Sequence, residues 1–496
     1  MSLSTDTNVM KDEDAHNDVP LCVDLDGTLL RTDTLVESFI ALLRQNFLLA
    51  LLVPVWLLRG KANLKEQIAR HIDLDISLLP PNEEFLVFLK RQHSERRRLV
   101  LTTAANRKYA QSVAEHFGLF DMTLSSDSNN NLSADKKLES LRQEFGDCGF
   151  DYAGNSMDDV RVLSAARQAI LVAPERGVAK AVVGSANVVG TYDRKEKGAF
   201  TYLRAIRLHQ WLKNLLLFLP LLASHRFSDV ELLGKLGLAF LAFSLCASSV
   251  YVLNDLVDLS ADRAHPRKRD RPFASGQLPL IHGVLMVPLL LGGALLIAWM
   301  LPVAFVYVLG LYFALTLAYS IKLKLVVLVD VLTLAGLYTM RVIAGSAAGS
   351  IVPSFWLLAF SMFLFLSLAT VKRYTELLEY AKVNKGKTKV RGYSVSDMEI
   401  LRSFGVASGY LAVLVLALYI NSSDVANNFN HPQMIWLLCP LLLYWISRVW
   451  LLAARNRMHD DPVIFAVKDW VSRMIVVIVV FIVWLASLSV DIPGFA

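Results

Sequence analysis

Two runs of carboxylates in this 496-residue sequence are spaced for work on phosphates. One reads Asn254-Asp255-Leu256-Val257-Asp258-Leu259-Ser260-Ala261-Asp262. Intervals of three and four residues place Asp255, Asp258 and Asp262 on one side of a helix. Carboxylates gathered this way repel one another unless a cation lies among them, and their hard oxygens suit Mg²⁺ bridging to phosphate oxygens. A Mg²⁺-diphosphate site is therefore expected; the plain alternative is a solvated loop whose acids are neutralised by Arg263, Arg267, Lys268 and Arg269. The other run, Leu21-Cys22-Val23-Asp24-Leu25-Asp26-Gly27-Thr28, is an apolar strand entering two carboxylates one residue apart. Alternate residues of an extended chain share a face, so Asp24 and Asp26 can converge on one phosphate and one metal.

The composition shows which elements must hold these residues. At 54% hydrophobic and 19% charged, the chain is too apolar for one soluble fold and too polar to be membrane throughout. Up to about Gly190 it reads as a soluble domain, and from Leu208 apolar runs recur at nearly the length of a bilayer span. The expected domains are a polar, disordered and cytoplasmic tail over 1–18 without a signal-peptide core, a soluble domain over 19–190, a linker over 191–200 and a membrane domain over 201–496. About nine spans are expected, near 208–223, 235–253, 280–299, 301–319, 326–346, 354–371, 404–420, 434–452 and 473–490.

Lys and Arg crowd alternate loops, at Arg263 to Arg271, Lys322 and Lys324, Lys372 to Arg402, and Arg455 to Lys468. Those loops are expected on the cytoplasmic side together with the soluble domain, which leaves the C-terminus outside. The same asymmetry explains the net charge of +6 better than nucleic acid does. Lys385 to Arg391 is an orienting basic loop over anionic lipid in this reading, and Gly345 and Gly349 permit close helix packing. Cys22, Cys148, Cys246 and Cys439 are widely spaced on apolar stretches, so buried thiols are expected, with no disulfide and no zinc site. Asp330 and Arg341, ionisable residues at or within apolar spans, are costly unless they serve a purpose. They lie eleven residues apart, too far to pair directly, and Lys322 or Lys324 is the alternative partner for Asp330.

The acidic run resembles the N-D-x-x-D-x-x-x-D signature of the UbiA prenyltransferase superfamily, which implies an all-helical membrane bundle acting on prenyl-phosphate substrates. Further stretches resemble its decaprenyl-phosphate phosphoribosyltransferase branch. They are Arg207 to Asn214, Asp262 to Pro266 with Arg271-Pro272, Tyr319 to Lys324 with Asp330 and Arg341, and Lys372-Arg373-Tyr374. The resemblance implies transfer of 5-phosphoribose from phosphoribosyl pyrophosphate to a polyprenyl phosphate in a bacterial inner membrane. Asp255 and Asp258 would hold Mg²⁺, Asp262 would complete the acidic face, and Asn254 would bind a hydroxyl or phosphate. Lys324, Arg341, Lys372 and Arg373 are candidates for the two anionic substrates, Asp330 is an accompanying site residue, and Lys213 serves the lipid phosphate.

The run at Asp24 resembles the opening motif of the haloacid dehalogenase (HAD) superfamily. That implies a doubly wound parallel sheet with its site at the carboxyl ends of the strands. Asp24 would then attack phosphorus and Asp26 act as acid and base. Thr103, or else Thr102, would bind phosphate, and Lys137, or else Lys136, would stabilise its charge. The run Gly154-Asn155-Ser156-Met157-Asp158-Asp159 supplies the last acidic turn. Asn155 stands where the family has Asp, which weakens Mg²⁺ binding unless Asp159 compensates. The insertion at about 30–90 has the place of a helical cap, and its apolar run Phe47 to Leu58 fits either a cap core or the bilayer surface. Two other functions stay open: prenyl transfer from a diphosphate onto an aromatic or other acceptor beside a regulatory HAD domain, and a lipid-binding scaffold or transporter.

Overall fold

The structure, a computed structural model, describes residues 19–127, 131–193, 198–224, 226, 228–383, 389, 390, 392–422, 431–458 and 461–487. The expected tail over 1–18, most of the basic loop 385–391 and the C-terminal Ala496 lie outside the described residues. The chain divides into two compact units: Met1–Ile206 with Tyr251–Val287, and Arg207–Val250 with Pro288–Ala496.

The first unit is built on a sheet of six parallel strands: β1 (Leu21–Val23), β2 (Leu99–Asn106), β3 (Met122–Ser126), β4 (Asp151–Gly154), β5 (Ala169–Val172) and β6 (Val188–Tyr192). Their order is β3-β2-β1-β4-β5-β6, so the first strand is central and the order reverses beside it. Alternation along each strand feeds two cores. Leu21, Val23, Leu99, Leu101 and Ala153 pack on one face, and Cys22, Val100 and Tyr152 on the other. β6 includes Thr191 and Tyr192, so the sheet runs past the expected boundary at 190, and the expected linker continues into a helix over Ala199–Ala205. The cap lies between β1 and β2 as the helices Thr34–Gln45, Phe47–Ala50, Val53–Leu58 and Lys61–His71. It is smaller than expected, because the helix Glu83–Ser94 packs on the sheet through Phe85 and Leu89.

Among the described residues eight helices are long and apolar enough to cross a membrane: Val230–Val257, Leu280–Ala298, Val303–Ile321, Val329–Gly349, Phe355–Lys382, Val395–Ile420, Gln433–Ala454 and Trp470–Ser487. The expected first span is not a continuous α-helix. It is a 3-10 helix over Leu208–Phe218 followed by an α-helix over Leu219–Ala223 with Pro220 in its first turn. An eleven-residue 3-10 run is unusual. Here it carries buried polar side chains, Lys213 and Asn214, that find partners on neighbouring helices. Gly345 packs against this stretch so closely that a Cβ there would stand 1.9 Å from the Leu217 carbonyl oxygen. All four cysteines are free thiols; Cys22, Cys246 and Cys439 are buried, but Cys148 is exposed, contrary to expectation, just before β4.

Candidate functional site

In the first unit the ends of β1, β2 and β4 meet under the cap around a cavity of about 380 Å³. Asp24, Asp26, Thr103, Lys137 and Asn155 border it from the sheet, and Leu57, Lys61 and Lys65 from the cap. Gly27 turns the chain between Asp26 and Thr28 with a φ of +81°, where a Cβ would collide with the Asn155 amide. Thr28 donates to Asp24 Oδ2 at 3.3 Å and to Asn155 Oδ1 at 3.1 Å, which ties the two motifs together. Lys137 Nζ donates to Asp24 Oδ1 at 2.8 Å and to Asp159 Oδ1 at 3.0 Å, whereas Lys136 is exposed. Thr103 borders the cavity, and its hydroxyl accepts from the Ala105 amide. Thr102 is buried away from the cavity.

Burial pushes the Asp24 carboxyl up to about 6 despite the opposing pull of Lys137. Burial, with Asp33 and Asp24 nearby, raises Asp26 well above the usual carboxylate range, although it accepts from the Thr34 amide at 2.8 Å. A carboxyl that keeps its proton suits an acid role, and its ionised neighbour suits a nucleophile. Mg²⁺ is commonly held by one or two carboxylates together with waters and phosphate. Asp24 and the Asn155 amide oxygen could enter that donor set, whereas both Asp26 oxygens already accept from Thr34.

Asp159 does not belong to it. Its Oδ1 accepts from Lys137 and from Tyr152 at 2.7 Å, and its Oδ2 from Ser156 Oγ at 2.7 Å and the Asn155 and Ser156 amides. The expected compensation for Asn155 therefore fails at Asp159, whose lone pairs are spent on Lys137 and the turn. The neighbouring Asp158 is the acid of this turn that is exposed at the cavity wall.

The acidic run also lies in the first unit. Asn254 and Asp255 sit in the last turn of Val230–Val257, Asp258 caps the next helix, and Asp262 lies within that helix, Leu259–Arg263. The Asp258 amide donates to the Asn254 carbonyl at 2.9 Å and the Asp262 amide to the Asp258 carbonyl at 2.8 Å, which keeps the helical register through the break. Arg271 Nη1 meets Asp255 Oδ1 at 3.0 Å and Asp262 Oδ2 at 2.5 Å. These two carboxylates thus converge on the Arg271 guanidinium, and among the described residues no group of three or more acids, histidines or cysteines is gathered closely enough to hold a metal ion.

The next residue, Arg263, turns to the cap, where its Nη2 meets Glu37 Oε1 at 2.5 Å with both side chains buried. Glu37 Oε1 also accepts from Thr32 at 2.7 Å, and Arg263 Nε donates to the Ala274 carbonyl. A second cavity, about 400 Å³, lies between cap and acidic run and is bordered by Ile40, Arg44, Leu256 and Ser260.

In the second unit two cations and a tyrosine hydroxyl gather around one carboxylate. Asp461 accepts from Lys213 at 2.7 Å, Lys372 at 3.2 Å and the Tyr338 hydroxyl at 3.0 Å. Lys372 and Lys213 hold the Asp461 carboxyl below the usual range although burial opposes them. Arg341 donates to Asn214 Oδ1 at 2.9 Å and to Tyr312 at 3.1 Å, and it lies over the rings of Phe243, Tyr312 and Tyr338. Asn214 is itself held by Ser244. Lys213, Arg341 and Lys372 are thus assembled into one aromatic-walled basic cluster.

Arg373 and Asp330 are not part of it; the two pair with one another. Arg373 is fully buried, pairs with fully buried Asp330 at 2.5 Å and with Glu376, and has the Tyr393 ring beside it. Tyr393 also donates to Asp330. The partner of Asp330 is therefore Arg373 rather than Lys322 or Lys324. A guanidinium spent on two carboxylates has little left for a phosphate. Lys324 lies half-buried in the turn Leu323–Leu325, ahead of the helix that carries Asp330.

Sequence reasoning missed Asp461, although an acid before Pro462 in the last polar loop was visible as a helix-capping signal. It also missed Tyr152, Tyr312 and Tyr338, whose spacing marks them as core aromatics and nothing more.

The sheet order and the succession of Asp24, Thr103, Lys137 and the Asn155 turn around one cavity fit the resemblance of this region to the HAD superfamily. The UbiA prenyltransferase family model matches residues 215–472, more than half of the chain. The uncharacterized protein y4nM of Sinorhizobium fredii is 35% identical over 92% of this chain and 89% of its own length, so it shares both parts. A decaprenyl-phosphate phosphoribosyltransferase of Mycolicibacterium smegmatis is 30% identical over 58% of this chain and 92% of its own. A solved UbiA homologue from Archaeoglobus fulgidus, bound to GPP and Mg²⁺, is 16% identical over 57% of this chain and 99% of that one, with a TM-score of 0.43. The acidic run, the apolar helices and matches of this extent lead to one conclusion: the chain is an integral membrane protein and belongs to the UbiA prenyltransferase family.

Proposed function

We propose that the membrane domain moves 5-phosphoribose from phosphoribosyl pyrophosphate to a polyprenyl phosphate, and that the HAD-like domain then removes the 5-phosphate from the lipid-linked product. The observation that carries this reading is the pair of cations on one carboxylate, where Lys213 and Lys372 both meet Asp461 and Arg341 lies over the Tyr338 ring that also contacts Asp461. An acceptor that is itself an anion needs such a surplus, and a neutral aromatic acceptor does not. The similarity to the mycobacterial phosphoribosyltransferase supports the same substrates.

In the transfer, a lipid phosphate oxygen bonds to the anomeric carbon as the bond from that carbon to diphosphate breaks. Mg²⁺, when bound, would neutralise the departing diphosphate, with Asp255 and Asp258 as its protein ligands and Asp262 completing the acidic face. Lys213, Lys372 and Arg341 orient the anionic acceptor, and Asn254 is placed for a ribose hydroxyl or phosphate. In the hydrolysis, Asp24 attacks phosphorus, the bond to the sugar oxygen breaks, and Asp26 gives that oxygen a proton. Water then attacks the aspartyl phosphate, Asp26 takes the water proton, and inorganic phosphate leaves. Thr103 and Lys137 hold the phosphoryl oxygens. The alternating basic loops support a bacterial inner membrane with both sites cytoplasmic and the C-terminus outside.

The test is incubation of the purified protein with Mg²⁺, labelled phosphoribosyl pyrophosphate and a polyprenyl phosphate. Label should enter the lipid fraction and be lost on Asp255→Asn. Asp24→Asn should leave transfer intact and let the phosphorylated lipid accumulate. No label across several chain lengths would reject phosphoribosyl transfer in favour of prenyl transfer to another acceptor.

A further inference from the structure

The cap of the HAD-like domain carries an apolar surface that packing within the domain does not use. Across Phe47 to Leu58 only Ala50 and Trp56 are buried, and Trp56 stacks on His71. Phe47, Leu48, Leu51, Val55 and Leu58 are exposed, Leu48 at 75% and Leu58 at 88%. Helices that bury one narrow stripe and expose the rest of an apolar segment demand a second apolar partner.

Three observations name that partner as the bilayer. First, from Arg44 to Lys61 the charges are the exposed Arg44, Arg59 and Lys61, with no acid among them, which complements anionic headgroups. Second, the helix Thr34–Gln45 leads directly into this segment and is clamped through the buried Glu37–Arg263 pair to the connection over 258–279 between two span-length helices, Val230–Val257 and Leu280–Ala298. The cap is therefore anchored where the chain leaves a membrane span. Third, Leu57 and Lys61 border the catalytic cavity, so the apolar surface runs into the wall of the phosphate site.

We propose that Phe47 to Leu58 is an interfacial element that beds into an anionic leaflet and opens the HAD cavity toward lipid-linked phosphate monoesters. A lipid tail stays among the exposed leucines and the bilayer chains, while the headgroup passes Leu57 to reach Asp24. The contact stands without any activity; its use in substrate delivery rests on the phosphatase reading above.

The full chain, with Cys148→Ser and single cysteines at Leu51, Leu58 or Val87, is labelled with an environment-sensitive fluorophore in nanodiscs containing phosphatidylglycerol. Val87 is exposed among charged neighbours on the helix Glu83–Ser94 and is the control. Lipids bearing a nitroxide high on the acyl chain should quench labels at 51 and 58 severalfold more than at 87. Equal quenching at all three, or none at 51 and 58, overturns the proposal. So does shielding at 51 and 58 that ignores the nitroxide and grows with protein concentration, which would signify a second copy or another protein. In the same nanodiscs, Leu51→Ser with Leu58→Ser should cut hydrolysis of a lipid-linked phosphate at least tenfold while p-nitrophenyl phosphate is cleaved as before. Equal loss on both substrates overturns the delivery step. If the parent protein cleaves neither substrate, the phosphatase reading fails and the quenching result still decides the contact.

Discussion

Two buried ionic clusters of the second unit use the same residue types to opposite ends. Around Asp330 the cation is outnumbered: Arg373 meets Asp330 and Glu376 and leaves no charge to offer. Around Asp461 the carboxylate is outnumbered: it meets Lys213 and Lys372, with Arg341 also against Tyr338. A cation outnumbered by carboxylates serves as a strut between helices, whereas a cluster with more cations than carboxylates suits an anionic ligand. The cavity under the cap is the reverse case, where one cation, Lys137, stands between two acids, Asp24 and Asp159.

The comparison breaks most visibly at Arg373. Arg373→Met should leave Asp330 buried without its counter-charge and cost about 3–5 kcal/mol of stability. Thermal unfolding in detergent measures it; a variant as stable as the parent but unable to transfer would make Arg373 a substrate ligand. Lys372→Gln should do the opposite, because Lys213 still pairs with Asp461. We expect no shift in the unfolding midpoint and a loss of transfer of about tenfold, or ~1.4 kcal/mol, seen as a raised KM for the anionic acceptor. In the HAD cavity, Asn155→Asp adds the carboxylate that the turn lacks. It should lower the Mg²⁺ concentration for half-maximal phosphatase activity several-fold, and an unchanged Mg²⁺ profile would place the metal away from Asn155. Glu37→Gln keeps an oxygen for Arg263 but removes its counter-charge in a buried pair, and should cost about 1.5–3 kcal/mol, less than the loss at Arg373. A larger loss, read by hydrogen exchange over Leu259–Arg263, would show that the pair's charge holds the acidic run in place.

Local signals carried most of what the sequence disclosed. The Asp24 strand, the three-and-four spacing from Asp255 to Asp262 and the apolar spans are patterns within a few residues, and the fold honours them. Partnerships across the chain were hidden: Lys213 and Asp461 lie 248 residues apart, and Asp330 and Arg373 sit on different helices. Ion pairs of that kind depend on which helices pack together, and neither propensity nor hydropathy encodes it. The stretch 208–223 shows a second limit, since its apolarity reads as a span while its hydrogen bonding is 3-10. Phe47 to Leu58 shows a third: hydropathy could not divide core from bilayer contact, and the structure buries Ala50 and Trp56 but leaves Leu48 and Leu58 outside.

That exposed cap segment also governs how the N-terminal α/β domain can be handled. Excised near residue 193 and expressed alone, the domain would present its apolar helices to water and Glu37 without Arg263, and its solution behaviour would be that of a detergent-requiring protein prone to self-association.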